Sequence, residues 1–146
     1  MPALNIAQAS TIIDVALQKG RELKFAPLAV AVLDAGGNLI AFKRDDRAGI
    51  LRFDIAFGKA WGALGFGLGS RELASRAAKV PMFFTAVAAA SGGRLVPVPG
   101  GVLIRDRAGD VIGAVGISGD VSDKDEACAI SGVEAAGLTA DPGAGA

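Results

Sequence analysis

One turn pattern occurs twice in this chain, and it constrains the fold more than any other feature. Segments rich in β-formers at residues 28–33 and 39–43 flank a turn at 34–38, and a second hairpin over 102–117 turns at 106–110. The matching positions are Asp34 with Asp106, Gly37 with Gly109, Asn38 with Asp110, and Ile40 with Ile112. Gly and Asn tolerate the positive φ that a tight turn requires. The repetition predicts two antiparallel hairpins of one geometry within one sheet.

Helical patterns surround the two hairpins. Residues 5–23 are amphipathic, and Asn5 with Gln8 forms a capping-box pattern at their start. The other expected helices cover 50–64, 71–79 with Ser70 as the cap, 81–90 beginning at Pro81, and 122–136. Residues 91–101, rich in Gly and Pro, are expected to be irregular. This order favours an α+β domain with one antiparallel sheet over a βαβ arrangement.

Glycines are spaced regularly along the second of these helices. Gly58, Gly62, Gly65 and Gly69 fall at steps of four, three and four, which places them on one helical face. A glycine face suggests close approach by another backbone, either a helix or a neighbouring subunit, because each interior Gly costs about 1 kcal/mol relative to Ala. The alternative is that this helix simply ends near Gly65.

Composition narrows the class of protein. The 146 residues fit one domain, for which we expect residues 1–138, followed by a flexible tail at 139–146. The net charge of zero argues against nucleic-acid binding and favours self-association into a homo-oligomer. The longest apolar run, around 82–90, is shorter than the roughly 18 residues of a membrane span. The start of the sequence lacks a secretory pattern, so a cytoplasmic location is expected.

Two residue types are missing from the chain, and this limits its chemistry. The sequence has no His and no Tyr, and Cys128 is its one cysteine. Ser–His and Cys–His dyads, His-ligated metals and intrachain disulfides are therefore excluded. Cys128 lies among small residues of the last expected helix, so we expect an inert buried thiol and no metal site.

Polar residues at three places are candidates for a site. Arg44 and Asp46 leave a strand in a dense charge cluster, where an Arg can hold a carboxylate ligand or the charges can simply be solvated. Lys59 has mostly apolar neighbours, so its ammonium is either desolvated and reactive or extends to solvent. The stretch 115–126 is a strand, a glycine loop and a helix start. Its Ser118, Asp125 and Glu126 are potential ligand contacts, or Ser122 and Asp125 only cap the helix.

Four motifs along the chain match the pattern of one protein family. They are a first hairpin at residues 30–46, VAVLDAGGNLIAFKRDD, and a helical KA step at Lys59-Ala60. A PGG loop follows at Pro99-Gly100-Gly101, and a last signature is GAVGISG at 113–119 followed by Asp125-Glu126. Together they resemble the GlcG/HbpS-like family (DUF336, haem-degrading), and the resemblance covers nearly the whole chain. It implies a profilin- or PAS-like fold with a five-stranded antiparallel sheet, in dimers or larger rings.

The family also implies an association with haem or corrinoid handling and with operons for small organic acids. Three positions depart from its pattern: Asp45 stands where Met is common, Arg47 where Gly is usual, and Asp120 where a small residue is common. All three add charge near the expected pocket. Without His, haem iron would depend on Cys128, Met82, Met1, a carboxylate or a lysine, or have no axial ligand.

The leading hypothesis is a homo-oligomeric protein, as a dimer, tetramer or octamer, that binds a small organic acid or a tetrapyrrole-type ligand. Its pocket would lie near the PGG loop and a subunit interface, with Arg44 and Lys59 holding an acidic group. The candidate residues are Arg44, Asp46, Lys59, Pro99, Gly100, Gly101, Ser118, Asp125 and Glu126. The alternatives are a catabolic enzyme (a lyase, isomerase or hydrolase) that uses Lys, Asp or Glu for proton transfer, and a haem-binding or haem-degrading protein without a His ligand.

Overall fold

The computed structural model describes residues 3–144 as a five-stranded antiparallel sheet with helices on both faces. The strand order is β2-β1-β4-β3-β5. The elements are α1 Ile6–Glu22, β1 Ala29–Asp34, β2 Leu39–Arg44, α2 Leu51–Phe66, α3 Ser70–Lys79, α4 Pro81–Ala90, β3 Gly101–Arg105, β4 Val111–Ser118, α5 Ser122–Ala135 and β5 Thr139–Asp141. The predicted α+β class and five-stranded antiparallel sheet are confirmed.

The two hairpin turns share one geometry. In the first, the Asp34 amide donates to Asn38 at 2.9 Å and the Gly37 amide donates to Asp34 at 3.0 Å; in the second, Asp106 with Asp110 and Gly109 with Asp106 repeat both distances. Gly37 has φ 82° and Gly109 has φ 90°, so both positions need the left-handed backbone that glycine adopts freely. β1 pairs with β4 and joins the hairpins into one sheet, as predicted.

Each face of the sheet has its own hydrophobic layer. Side chains such as Val30, Val32 and Ile117 pack under α1 and α5, while Leu33, Leu103 and Ala114 pack under α2. The capping box at Asn5 and Gln8 is present and begins α1 as predicted. No helix among residues 3–144 combines the length and apolar character that a membrane crossing needs.

Helix α2 lies directly on the backbone of the sheet. A Cβ at Gly116 in β4 would overlap the carbonyl of Ala56, and one at Gly101 in β3 would overlap the carbonyl of Lys59. The interface between α2 and the sheet therefore consists of small residues, Ala56, Ala60 and the glycines, so the two backbones are almost in contact. This close packing fixes the height and direction of α2, and with them the positions of its polar side chains.

The glycine face of α2 is only partly as predicted. Gly58 and Gly62 do meet a close neighbour, which is the segment 94–96 of the same chain rather than a helix or a subunit. Gly65 meets only the ring of Trp61. Gly69 lies beyond α2, just before α3, and does meet another backbone, that of Pro142 and Gly143. The alternative is confirmed, because the helix ends near Gly65: its last residue is Phe66, and Gly67 closes it with φ 70°.

Two predicted helix caps and part of the predicted tail are wrong. Ser70 is the first residue of α3 after Gly69, and α5 follows Val121 without a side-chain cap from Ser122. The first residues of the predicted tail, Thr139–Asp141, form β5. They pair with β3, because without them β3 would be an edge strand with unpaired backbone N–H and C=O groups. Residues 145–146 of the predicted tail lie outside the described residues.

We expect Gly116→Ala to destabilise the protein by about 1–3 kcal/mol or more, because the new methyl group must push α2 off the sheet. Gly49→Ala is the matched control, since a Cβ there meets nothing within 4 Å and φ is not positive. Its free energy of unfolding should change by no more than about 1 kcal/mol. Urea denaturation measures both, and equal effects of the two substitutions would contradict the close packing described above.

Candidate functional site

A buried ion pair lies where α2 crosses the end of β4. The ammonium of Lys59 donates to the carbonyl of Ile117 at 2.8 Å and to Asp125 in α5 at 3.1 Å. The two side chains are only 3% and 1% exposed. Burial lowers the pKa of Lys59 and raises the pKa of Asp125, and their mutual attraction opposes both shifts. Of the two alternatives for Lys59, the structure shows the desolvated ammonium, and its partner is a carboxylate of this chain.

The PGG loop encloses the end of this lysine. Gly100 has φ 123°, and a Cβ there would lie 2.8 Å from the Lys59 ammonium nitrogen, so no other residue type fits without a shift. The Gly101 amide donates to the hydroxyl of Ser70 at 2.7 Å, and the Ile117 amide donates to Gly100 at 3.0 Å. Gly100 and Gly101 are therefore held against Lys59.

The acidic residues around the start of α5 all have partners in the chain. Asp125 accepts the amide of Asp120 as well as Lys59, and Glu126 accepts from Arg71 at 3.0 Å. Asp120 accepts the amides of Ala26 and Val121, and these bonds lower its pKa. Asp120, a departure from the family pattern, therefore holds the loop that connects α1 to β1. Asp125 does not reciprocate a Ser122 cap, because its carboxylate is turned inward.

Arg52 is a residue that the sequence analysis missed. Its guanidinium donates to the hydroxyl of Ser118 at 3.0 Å, and Ser118 is only 1% exposed. Within residues 3–144, no carboxylate lies within 4.0 Å of Arg52, although its side chain is half-buried. Arg52 precedes Lys59 by seven positions, about two helical turns, so both lie on one face of α2. That spacing is a sequence signal that could have identified it.

Arg44 lies in the same cross-sheet row as Ser118. Arg44 pairs with Ala29, and Ala29 pairs with Ser118, so the three residues share one face of the sheet. Two strand spacings place the Cα atoms of Arg44 and Ser118 about 10 Å apart. In the described part of the chain, Arg44 also has no carboxylate within ion-pair distance.

A polar groove of about 560 Å³ runs beside Arg44. It lies between the end of α1 and the end of β2, and it is lined by Leu17, Arg21, Phe25, Pro27, Lys43, Arg44, Asp45 and Asp46. Asp45 accepts the Leu28 amide at 2.9 Å and pairs with Arg21, so this departure from the family pattern also has a structural role. Asp46 is exposed at the rim.

The structure thus divides the predicted site residues into groups. The first group, Lys59, the PGG loop, Ser118 and Asp125, meets at the junction of α2 and β4. The second group, Arg44 and Asp46, lines the groove at the end of β2. Glu126 belongs to neither, because it is turned towards Arg71. Cys128 is fully buried, and burial raises the pKa of its thiol to about 11, as expected for an inert cysteine. Met1 lies outside the described residues. Among those described, no three His, Cys, Asp or Glu side chains gather as a metal site.

Removing one partner of the buried pair should destabilise the fold strongly. We expect Lys59→Met to cost about 3–5 kcal/mol, because Asp125 is left without a counter-charge in the interior. The double variant Lys59→Met/Asp125→Leu should cost less than the sum of its two single variants, since it removes both charges. The exposed pair Lys43–Asp14 is the control, and breaking it should cost no more than about 1 kcal/mol. Additive losses at Lys59 and Asp125 in urea denaturation would show that the two groups are not coupled.

Solved structures resemble this fold over nearly their full length. A PduOC:heme complex matches with a TM-score of 0.84 and 25% identity, covering 94% of this chain and 97% of its own. Protein ORFY of Klebsiella pneumoniae, assigned to DUF336, matches with 0.83 and 26%, covering 94% and 92%. HbpS matches with 0.78 and 25%, covering 92% and 90%.

A search of curated proteins finds no match to this sequence. A family model described as haem degrading protein HbpS-like, in contrast, matches residues 4–134, which include all nine predicted site residues. The match therefore runs from the start of α1 into the last turn of α5. The chain belongs to the HbpS-like family.

Proposed function

We propose that this protein binds a small molecule through a carboxylate, which Arg52 and Arg44 hold beside Ser118 at the end of β4. The ligand class is a small organic acid or a tetrapyrrole that carries carboxylate arms. The observation that carries the proposal is the half-buried guanidinium of Arg52, which has a hydroxyl partner in Ser118 but no carboxylate partner among residues 3–144.

A partly buried cation without a counter-charge is an incomplete arrangement. Desolvation of a charge is costly unless an opposite charge or several hydrogen bonds compensate for it. Ser118 satisfies one donor of Arg52, and a guanidinium has five donors in a planar fork that suits a carboxylate. The positive charge of Arg52 also reaches the junction itself, where it helps to lower the pKa of Lys59. A bound carboxylate would supply the missing negative charge.

The role given to Lys59 in the sequence hypothesis passes to Arg52. Lys59 is closed in by Gly100 and engaged by Asp125, so it has no free donor facing solvent in this arrangement. Its bond to the carbonyl of Ile117 holds the residue that precedes Ser118. Lys59 is therefore a positioning residue in the proposal, and Arg44 retains its role as a second anchor.

Haem is a member of the tetrapyrrole class, and one neighbour was solved as a heme complex. The carboxylate arms of a porphyrin suit the two arginines, but among residues 3–144 the Lys59–Ser118 junction itself offers no free ligand for iron. Cys128 and Lys59 are buried, and Met82 is exposed on α4, apart from the Arg52–Ser118 contact. The residues therefore fit a tetrapyrrole held by its carboxylates rather than by an axial bond from Cys128, Lys59 or Met82.

Binding is also favoured over the enzyme alternative. The proton-transfer groups proposed from the sequence are engaged, since Asp125 pairs with Lys59 and Glu126 pairs with Arg71. Asp46 is exposed to solvent at the groove rim. The proposal keeps the cytoplasmic location and the homo-oligomer expected from the sequence.

Isothermal titration with benzoate, succinate and protoporphyrin IX tests the proposal. Arg52→Ala should weaken binding of the carboxylate probe about 10–100-fold, because a charged hydrogen bond contributes about 1.5–3 kcal/mol, and Arg52→Lys should lose less. Arg107→Ala, an exposed arginine on the second turn, should leave the affinity unchanged.

Protoporphyrin IX dimethyl ester is the matched ligand control, since it keeps the ring and lacks free carboxylates. It should bind more weakly than the free acid to the unsubstituted protein. Equal affinity of Arg52→Ala and the unsubstituted protein for every probe would contradict the proposed anchor, and so would equal binding of the ester and the acid.

A further inference from the structure

Helix α4 is apolar along its whole length and yet exposed. Pro81–Ala90 contains no charged residue, and Phe84 is its one buried side chain. Met82 is 86% exposed and Phe83 is 54% exposed. A helix that is apolar on every side is ordinarily buried. This helix therefore presents a surface that a single copy of the chain leaves uncovered.

An apolar groove lies between α4 and α3. Its volume is about 520 Å³, and Phe66, Phe83 and Phe84 line it with rings whose centroids lie 5.4–6.4 Å apart. At the rim, Arg76 is neutralised by Glu72 at 2.7 Å. Lys79 also lines the groove and has no carboxylate within 4.0 Å in the described part of the chain. The groove is thus apolar with one unpaired positive charge at its rim.

The start of α2 is the complement of that groove. Ile50 is 98% exposed and Leu51 is 55% exposed, so together they form a protruding apolar corner. Asp54 is exposed one turn further along the same side of the helix. Of the residues described, none supplies Asp54 with a cation at ion-pair distance. The corner therefore carries an unpaired negative charge.

We propose that the α3–α4 groove of one copy of this chain receives the Ile50–Leu51 corner of a second copy, with Lys79 of the groove paired to Asp54 of the corner. Apolar shape and opposite charge then match on both sides. The net charge of zero adds no overall repulsion between copies. Because groove and corner are different surfaces, the contact is head-to-tail, and a closed ring occupies every groove and every corner. This contact does not depend on the proposed carboxylate site.

Light scattering on a size-exclusion column tests the contact. The unsubstituted chain should elute as an oligomer, while Ile50→Asp and Phe83→Asp should each elute at the single-chain mass. Ile6→Asp is the matched control, because Ile6 is 61% exposed at the start of another helix, and it should remain oligomeric. Far-UV circular dichroism checks that each variant retains the fold.

Mixing the two defective variants gives the sharpest result. Ile50→Asp keeps an intact groove and Phe83→Asp keeps an intact corner, so an equimolar mixture should form 1:1 dimers although each variant alone is monomeric. In the same way, Lys79→Glu and Asp54→Lys should each weaken assembly at least 10-fold, and the double variant should regain most of it.

Three results would overturn the proposal. The first is an unsubstituted chain that stays monomeric at high concentration. The second is an oligomer that Ile50→Asp leaves intact. The third is a mixture of Ile50→Asp and Phe83→Asp in which both proteins remain monomeric, because the intact groove of one variant should receive the intact corner of the other.

Discussion

The bond of Lys59 to Asp125 and to the carbonyl of Ile117 joins three elements that are distant in sequence. It fixes α2 over the end of β4 and ties both to the start of α5. The glycines at 100, 101 and 116 allow this closeness, because any side chain there would meet the lysine or the backbone of α2. The placement of Arg52 on Ser118 follows from the same geometry.

A buried ion pair of this kind contributes more to a unique arrangement than to net stability. The desolvation cost of two charges can match their attraction, whereas an unmatched charge in the interior is strongly unfavourable. Alternative positions of α2 would separate Lys59 from Asp125 and are therefore excluded. Arg52 and Arg44, at the same end of the sheet, differ from this pair because neither has a carboxylate partner among residues 3–144. Arg52 is half-buried and Arg44 is exposed, so both can reach a ligand.

Local patterns predicted the hairpins and the capping box at Asn5, and they left a desolvated Lys59 as one of two alternatives. The partner of Lys59 could not be predicted, because Asp125 is 66 positions away and its position depends on how α5 packs. The expected cap at Ser122 failed for the same reason. Arg52 was within reach, since its spacing from Lys59 places both on one face of α2. β5 could not be predicted from its own three residues, which lie beside Gly and Pro. It forms because it pairs with the edge of β3.

The proposed carboxylate site and the proposed contact between copies both involve the first turn of α2, so the two proposals need a measurement that separates them. NMR of the arginine side-chain Nε–Hε groups during a benzoate titration reports the site directly. The account predicts a saturable shift of the Arg52 signal together with the backbone amides of Ser118 and Gly119. Shifts confined to the α3–α4 groove, with Arg52 unchanged, would contradict it.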